Sequence, residues 1–104
     1  MRKLIEYIEK NLGNSDITID DMAYAVAVSR SGLHRKMKHL LGTSPIEFLR
    51  EARIRKSIQM LKESSKSVSE IAYECGFSDP KYFSKCFKTS TGQTPTEYKN
   101  SLSI

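Results

Sequence analysis

Two stretches of this chain offer a partner positive charge without competing acids. Ser29 to Leu41 carries Arg30, Arg35, Lys36 and Lys38, together with His34 and His39. Lys81 to Thr91 carries Lys81, Lys85 and Lys88. Cations interleaved with hydroxyl and aromatic side chains suit the phosphates and base edges of a nucleic acid. The acids cluster elsewhere, at Asp16, Asp20, Asp21, Glu70 and Glu74. Catalytic constellations are missing from the sequence. It has no paired-carboxylate cleft, no nucleophile–base spacing, no glycine-rich phosphate loop and no metal-ligand cluster, so neither an enzyme nor a cofactor is expected. His34 and His39, five apart, fall on different faces of a helix and do not read as metal ligands. Cys75 and Cys86 form no C-x-x-C pair and are expected as reduced, structural thiols in a cytoplasmic chain.

The chain has 104 residues, 38% hydrophobic and 28% charged, with a formal net charge of +5. That is ordinary globular composition, enough for one small domain or two half-size units sharing a core. The positive balance suits a polyanionic partner. No apolar run approaches ~18 residues, so no membrane contact is expected. The start, Met1-Arg2-Lys3-Leu4-Ile5-Glu6, reads into an amphipathic helix and lacks the apolar block of a secretory signal. A soluble chain that is not exported is expected.

The elements that must position the basic stretches are written twice. Gly42-Thr43-Ser44-Pro45-Ile46-Glu47-Phe48 returns fifty positions later as Gly92-Gln93-Thr94-Pro95-Thr96-Glu97-Tyr98. Leu33, Met37 and Lys38 answer to Phe83, Phe87 and Lys88 at the same offset. One position less relates Val28-Ser29 to Phe77-Ser78, and Ile19-Asp20-Asp21-Met22-Ala23 to Val68-Ser69-Glu70-Ile71-Ala72. One unit has been used twice.

Helical spacing of Leu4, Ile5, Ile8 and Leu12 predicts a first helix over about residues 2–12. A short helix capped near Thr18 runs to about Val26, Val28-Ser29 turns the chain, and Ser29 caps a helix to Leu41 that Gly42 ends. Ser44-Pro45-Ile46-Glu47 gives an N-cap, a proline at the first position and a glutamate that closes a capping box. The fourth helix has no breaker before about Glu63; some 17 residues at ~1.5 Å each reach about 26 Å. Its apolar residues cover more than one stripe, so packing on two sides is expected. Ser67-Val68-Ser69-Glu70 opens a fifth helix to about Cys75, Asp79-Pro80 a sixth to about Thr91, and Thr94-Pro95-Thr96-Glu97 a short seventh. The expectation is an all-α fold of seven helices. Its segments are a first helix-turn-helix subdomain over 1–44, a central linker helix over 45–63 and a second subdomain over 64–104.

Ala72-x-x-x-Gly76 has the small residue and the glycine that let two helices cross closely around a tight turn. Phe83 and Phe87 then provide an inner seam, which leaves Lys81, Ser84, Lys85 and Lys88 outward. In the first unit Leu33, Met37 and Leu40 are expected inward, with Ser31, His34, Arg35 and Lys38 outward. A helix with an apolar inner face and a basic outer face fits a major groove. Two such helices on a long strut can enter successive grooves, which lie ~34 Å apart. The competing reading is a basic helical protein-interaction module docking on an acidic partner.

The run Val68-x-x-Ile71-Ala72-x-x-x-Gly76-Phe77, then Phe83-x-x-x-Phe87-Lys88, Gly92-x-x-Pro95 and Tyr98, resembles the AraC/XylS family of bacterial transcription regulators. The wording from Asp79 to Lys88 is most similar to the C-terminal output domains of Bacteroides-type hybrid histidine kinase/response regulators. The resemblance implies a domain that reads double-stranded promoter DNA and activates transcription with RNA polymerase as a further partner. Two helix-turn-helix units in one chain need no dimer to occupy two half-sites, so a monomeric domain is expected, with dimerisation left to a larger parent protein. By position, the resemblance puts base readout on Ser31, His34 and Arg35 in the first unit and on Pro80, Lys81, Tyr82 and Lys85 in the second. Phosphate contact falls to Ser29, Arg30, Lys38, Asp79, Lys88 and Thr94, although the charge of Asp79 itself repels a phosphate. Lys81 and Lys85 suit phosphate contact as well as base contact. Tyr82 suits a thymine methyl, a backbone oxygen or packing inside the unit. Two residues depart from the family pattern. Gly32 stands inside the first recognition helix, which implies either close approach of backbone to DNA or a softer first unit, and Ser57 replaces an alanine usual on the central helix.

Overall fold

The computed structural model describes residues 2–102 and contains helices and their connections, with no strand among the described residues. Met1, Ser103 and Ile104, at the outer edges of the first and third expected segments, lie outside the described residues. The helices are α1 (Arg2–Asn11), α2 (Ile19–Ala25), α3 (Arg30–Leu41), α4 (Pro45–Glu63), α5 (Val68–Glu74), α6 (Pro80–Thr91) and α7 (Pro95–Ser101). All seven agree with the sequence expectation to within a residue or two.

Local chemistry explains where they start and stop. Thr18, Ser67 and Thr94 each accept from the backbone N–H three residues on, while Asp21, Glu70 and Glu97 accept from the cap's own N–H. These reciprocal boxes satisfy donors that the first turn of a helix leaves without a partner. The box expected at Ser44 closes on one side only. Ser44 accepts from the Glu47 N–H at 3.3 Å, but the Glu47 carboxylate takes the Thr43 hydroxyl instead. Gly42 and Gly92 end α3 and α6 in the left-handed region, at φ 72° and 86°, and each donates its N–H back into the helix.

The two turns differ. Gly76 takes φ 93° between α5 and α6, while the matching position in the first unit is Ala27, at φ 57°. A Cβ costs roughly 1–2 kcal/mol in that region, so the first turn carries strain that the second avoids.

Two apolar clusters hold the chain together. Leu4, Ile8, Met22, Ala23, Leu33, Met37 and Leu49 form one, with Phe48 packed against it. Ile54, Leu61, Ile71, Ala72, Cys75, Phe77, Phe83 and Phe87 form the other, with Tyr98 alongside. In the second, Phe77, Phe83, Phe87 and Tyr98 make a run of tilted and edge-on rings with centroids 5.0, 5.8 and 5.7 Å apart. Each such pair adds about 0.5–1.5 kcal/mol beyond its burial.

The repeat explains the length of α4. Its first turns supply Phe48 and Leu49 to the first cluster, as α7 supplies Tyr98 to the second. Its later turns supply Ile54 and Leu61 to the second cluster, as α1 supplies Leu4 and Ile8 to the first. One helix of 19 residues, about 28 Å long, therefore closes one unit and opens the next. The expected two-sided packing is a division along its length. Ser57 lies fully buried in this helix, its hydroxyl donating to the Ile54 carbonyl at 2.6 Å. Leu40, expected inward, is 58% exposed. It stands three residues beyond Met37, near the end of α3. Ile46, in the first turn of α4, is 54% exposed although Pro45 beside it is buried.

Candidate nucleic-acid interface

α3 and α6 each follow a short helix across a tight turn and bury one seam. Leu33 and Met37 are 1% and 0% exposed, and Phe83 and Phe87 both 0%. With those seams fixed, the opposite faces are set by helical geometry. On α3 they present Arg30, Ser31, His34, Arg35 and Lys38, all exposed. On α6 they present Lys81, Tyr82, Lys85 and Lys88, also exposed, with Pro80 half-buried. Neither helix contains an acid. The predicted residues within α3 and α6 thus lie on the outward side of their own helix, while Ser29 and Asp79 cap those helices and Thr94 caps α7, away from the α6 face.

The N-termini of these helices differ in what they leave open. At α3 the Ser29 hydroxyl accepts from the Gly32 N–H at 3.0 Å. The N–H groups of Arg30 and Ser31 lie in the same first turn, where no intrahelical acceptor exists. Gly32 sits under this cap; a Cβ there would meet the Ser29 oxygen at 2.9 Å. At α6 the Asp79 carboxylate accepts from the Lys81 N–H at 3.0 Å, and Pro80 has no N–H to give. At α7 the Thr94 N–H is taken by the Glu97 carboxylate at 2.8 Å, and Thr94 accepts in turn from the Glu97 N–H. The backbone donors of Thr94 and Glu97 are therefore occupied inside the helix.

Tyr82 is anchored. Its hydroxyl accepts from Arg50 on α4 at 3.3 Å, its ring centroid stands 6.2 Å from that of Phe77, and it remains 48% exposed. The bond to Tyr82 raises the Arg50 guanidinium above its ordinary value, outweighing the partial burial that lowers it. Nearby, Ser90 and Glu51 join the same two helices at 3.3 Å. Arg50 was not among the residues the sequence singled out, and neither was Arg53. Arg53 Nε donates to the Leu12 carbonyl at 3.1 Å and its terminal nitrogen to the Asn14 carbonyl at 2.8 Å. Burial lowers Arg53 from its ordinary value. On a helix surface an arginine reads as a solvated charge; only partners more than thirty residues away in sequence distinguish these two.

Burial pushes the Cys75 thiol up to about 11, so it is inert at neutral pH. Among the described residues no group of three or more His, Cys, Asp or Glu side chains could hold a metal ion, and no helix is long and apolar enough to cross a membrane.

The family comparison agrees with this arrangement. The profile of the helix-turn-helix domain family matches residues 22–101. A histidine kinase of Formosa agariphila is 34% identical over 99% of this chain, which spans 8% of that protein. The chain spans 8% to 57% of the length of five curated relatives it matches. Among solved structures, an AraC-type transcriptional regulator from Chromobacterium violaceum is 34% identical at a TM-score of 0.89, covering 97% of this chain and 89% of that one. The DNA-binding domain of AdpA, solved with a target DNA, shares the fold at a TM-score of 0.91 and 24% identity, covering 96% and 89%. The chain belongs to the AraC-type family of helix-turn-helix domains of transcription regulators.

Proposed function

We propose that α3 and α6 enter successive major grooves of double-stranded promoter DNA and read its sequence. The observation that carries this reading is the pair of acid-free basic faces joined by one continuous helix, in a body 46 Å long and 22 Å across. That length exceeds the ~34 Å between grooves on one side of the duplex. Ser31, His34 and Arg35 read bases in the first unit, with Ser29, Arg30 and Lys38 on phosphates. Pro80, Lys81, Tyr82 and Lys85 read in the second, with Asp79, Lys88 and Thr94 at the backbone. Asp79 and Thr94 act by shaping their helix starts, since their own groups are engaged locally. Arg35 is the principal specificity residue, because a guanidinium can grip a guanine edge with two hydrogen bonds.

The functional division is a first reader over 1–44, a strut over 45–63 and a second reader over 64–104. The chain acts as a non-catalytic output domain of a larger two-component regulator in the bacterial cytoplasm, activating transcription with RNA polymerase as a second partner. It binds as a monomer, since two readers in one chain occupy two half-sites; dimerisation belongs to the parent. A salt titration on a DNA duplex tests the reading against docking on an acidic protein. DNA affinity should fall linearly on a log–log scale with a slope near −0.9 per phosphate neutralised. A chain that binds duplex DNA no better than other polyanions contradicts it.

A further inference from the structure

The end of α1, the middle of α4 and the end of α5 meet at one junction between the two units. The Arg53 fork grips two backbone carbonyls there, those of Leu12 and Asn14, in the turn that follows α1. Among the described residues Arg53 has no carboxylate within 4.0 Å, so the backbone itself is its partner. From the other side, Gly76 opens the second unit's turn directly against Leu12 and Arg53. A Cβ on Gly76 would fall on the Leu12 carbonyl oxygen and the guanidinium. Gly13 faces the end of α5 in the same way; a Cβ there would lie 2.8 Å from the Glu74 carbonyl oxygen. Two glycines from different units thus each lie against the other unit's backbone, with an arginine from the shared helix between them.

Continuity of α4 alone fixes how far apart the readers are, but a helix held only along its length can still bend and twist between its two clusters. A third point of attachment away from its axis removes that freedom. We propose that Arg53, closed in by Gly13 and Gly76, is a positioning residue that sets the angle between α3 and α6 and so restricts the chain to one spacing of two half-sites. This rests on the DNA-reading function above. One base pair of extra spacer moves a half-site by about 3.4 Å and rotates it by about 35° about the duplex. A rigid pair of readers cannot follow that shift without losing one set of base contacts.

The test uses duplexes carrying the two selected half-sites with the spacer at its optimum and at one base pair more or less, plus a duplex with one half-site only. The unaltered chain should lose about tenfold or more in affinity for either altered spacer, the value of one good base contact. Arg53→Lys keeps the charge but loses the fork, and Gly13→Ala wedges the junction at a position without left-handed strain. Both should bind the single half-site within about twofold of the unaltered chain and should flatten the spacer penalty to about threefold or less. Circular dichroism melting establishes that each variant is folded; if Arg53→Lys does not fold, Gly13→Ala carries the comparison. An unchanged spacer profile in a folded variant overturns the proposal. So does an equal loss on every duplex, single half-site included, because that is what a merely structural role produces. An unaltered chain that prefers no selected sequence over random DNA overturns the DNA reading, and the spacing role with it.

Discussion

Arg50 of the central helix donates to the hydroxyl of Tyr82 on the second recognition helix, 3.3 Å away, and so fixes a side chain that the exposed face would otherwise leave free. The pair is largely exposed, so its contribution to stability is small, under about 1 kcal/mol. Its effect on binding should be larger, because a phenol held in place loses less freedom on reaching the DNA. Arg50→Ala and Tyr82→Phe should each weaken binding to the cognate site by a similar factor of about 3 to 10, and the double variant should be no weaker than either. A double-mutant cycle by fluorescence anisotropy measures this; additive losses would show that the two residues act separately.

Arg35 and Lys88 are exposed at equivalent faces of the two units but should differ in kind. Arg35→Ala should cost about 1–3 kcal/mol of discrimination between the cognate site and a site altered at one base pair. Lys88→Ala should weaken all sequences alike and reduce the salt slope by about one. Competition binding at several salt concentrations separates the two. Equal losses on cognate and random DNA for Arg35→Ala would remove it from base readout.

The first unit carries two local costs that the second does not. Ala27 sits at φ 57° where the second unit has Gly76, and Gly32 stands inside α3 under its cap. Ala27→Gly should stabilise the chain by about 0.5–1 kcal/mol, the left-handed penalty less the added freedom of the unfolded glycine. Gly32→Ala should gain a similar amount from helix propensity, less the shift its methyl imposes on Ser29. Thermal melting reads both. A lower melting temperature for Ala27→Gly would mean that the turn is not strained.

Glu70 and Glu97 are both held below the ordinary glutamate range, first by the backbone N–H and then by the hydroxyl of their caps, Ser67 and Thr94. A carboxylate with a depressed folded value stabilises the fold above its unfolded value, and the contribution fades as pH falls through the folded one. Stability should therefore decline as pH drops below about 4.3. Glu97→Gln and Thr94→Ala should each flatten that decline, measured as denaturant midpoints between pH 6 and pH 3. An unchanged acid limb in both would exclude the α7 cap as its source.

Much of this was legible in the sequence because the signals are local. Glycine, Ser or Thr, proline and glutamate fix helix ends within four residues, so the ends of α3, α4, α6 and α7 follow from Gly42, Ser44-Pro45, Gly92 and Thr94-Pro95. The outward faces followed from the inward seams of Leu33–Met37 and Phe83–Phe87. What the sequence hid depends on distant partners. Leu40 is apolar and in register with Leu33, yet it stands 58% exposed. Glu47 was in the right place for a capping box and went to Thr43. Arg50 and Arg53 have ordinary surface identities, and only the meeting of α4 with α6 and with the end of α1 gives them roles.

The most direct test of the two-reader arrangement is an in vitro selection of binding sites from random duplex DNA with the purified chain. Two conserved elements centred about 10–10.5 base pairs apart are predicted. Arg35→Ala should erase information from one element only. Selection of a single undivided element, or of no sequence at all, would contradict two recognition helices in successive grooves and favour a basic surface built for an acidic protein.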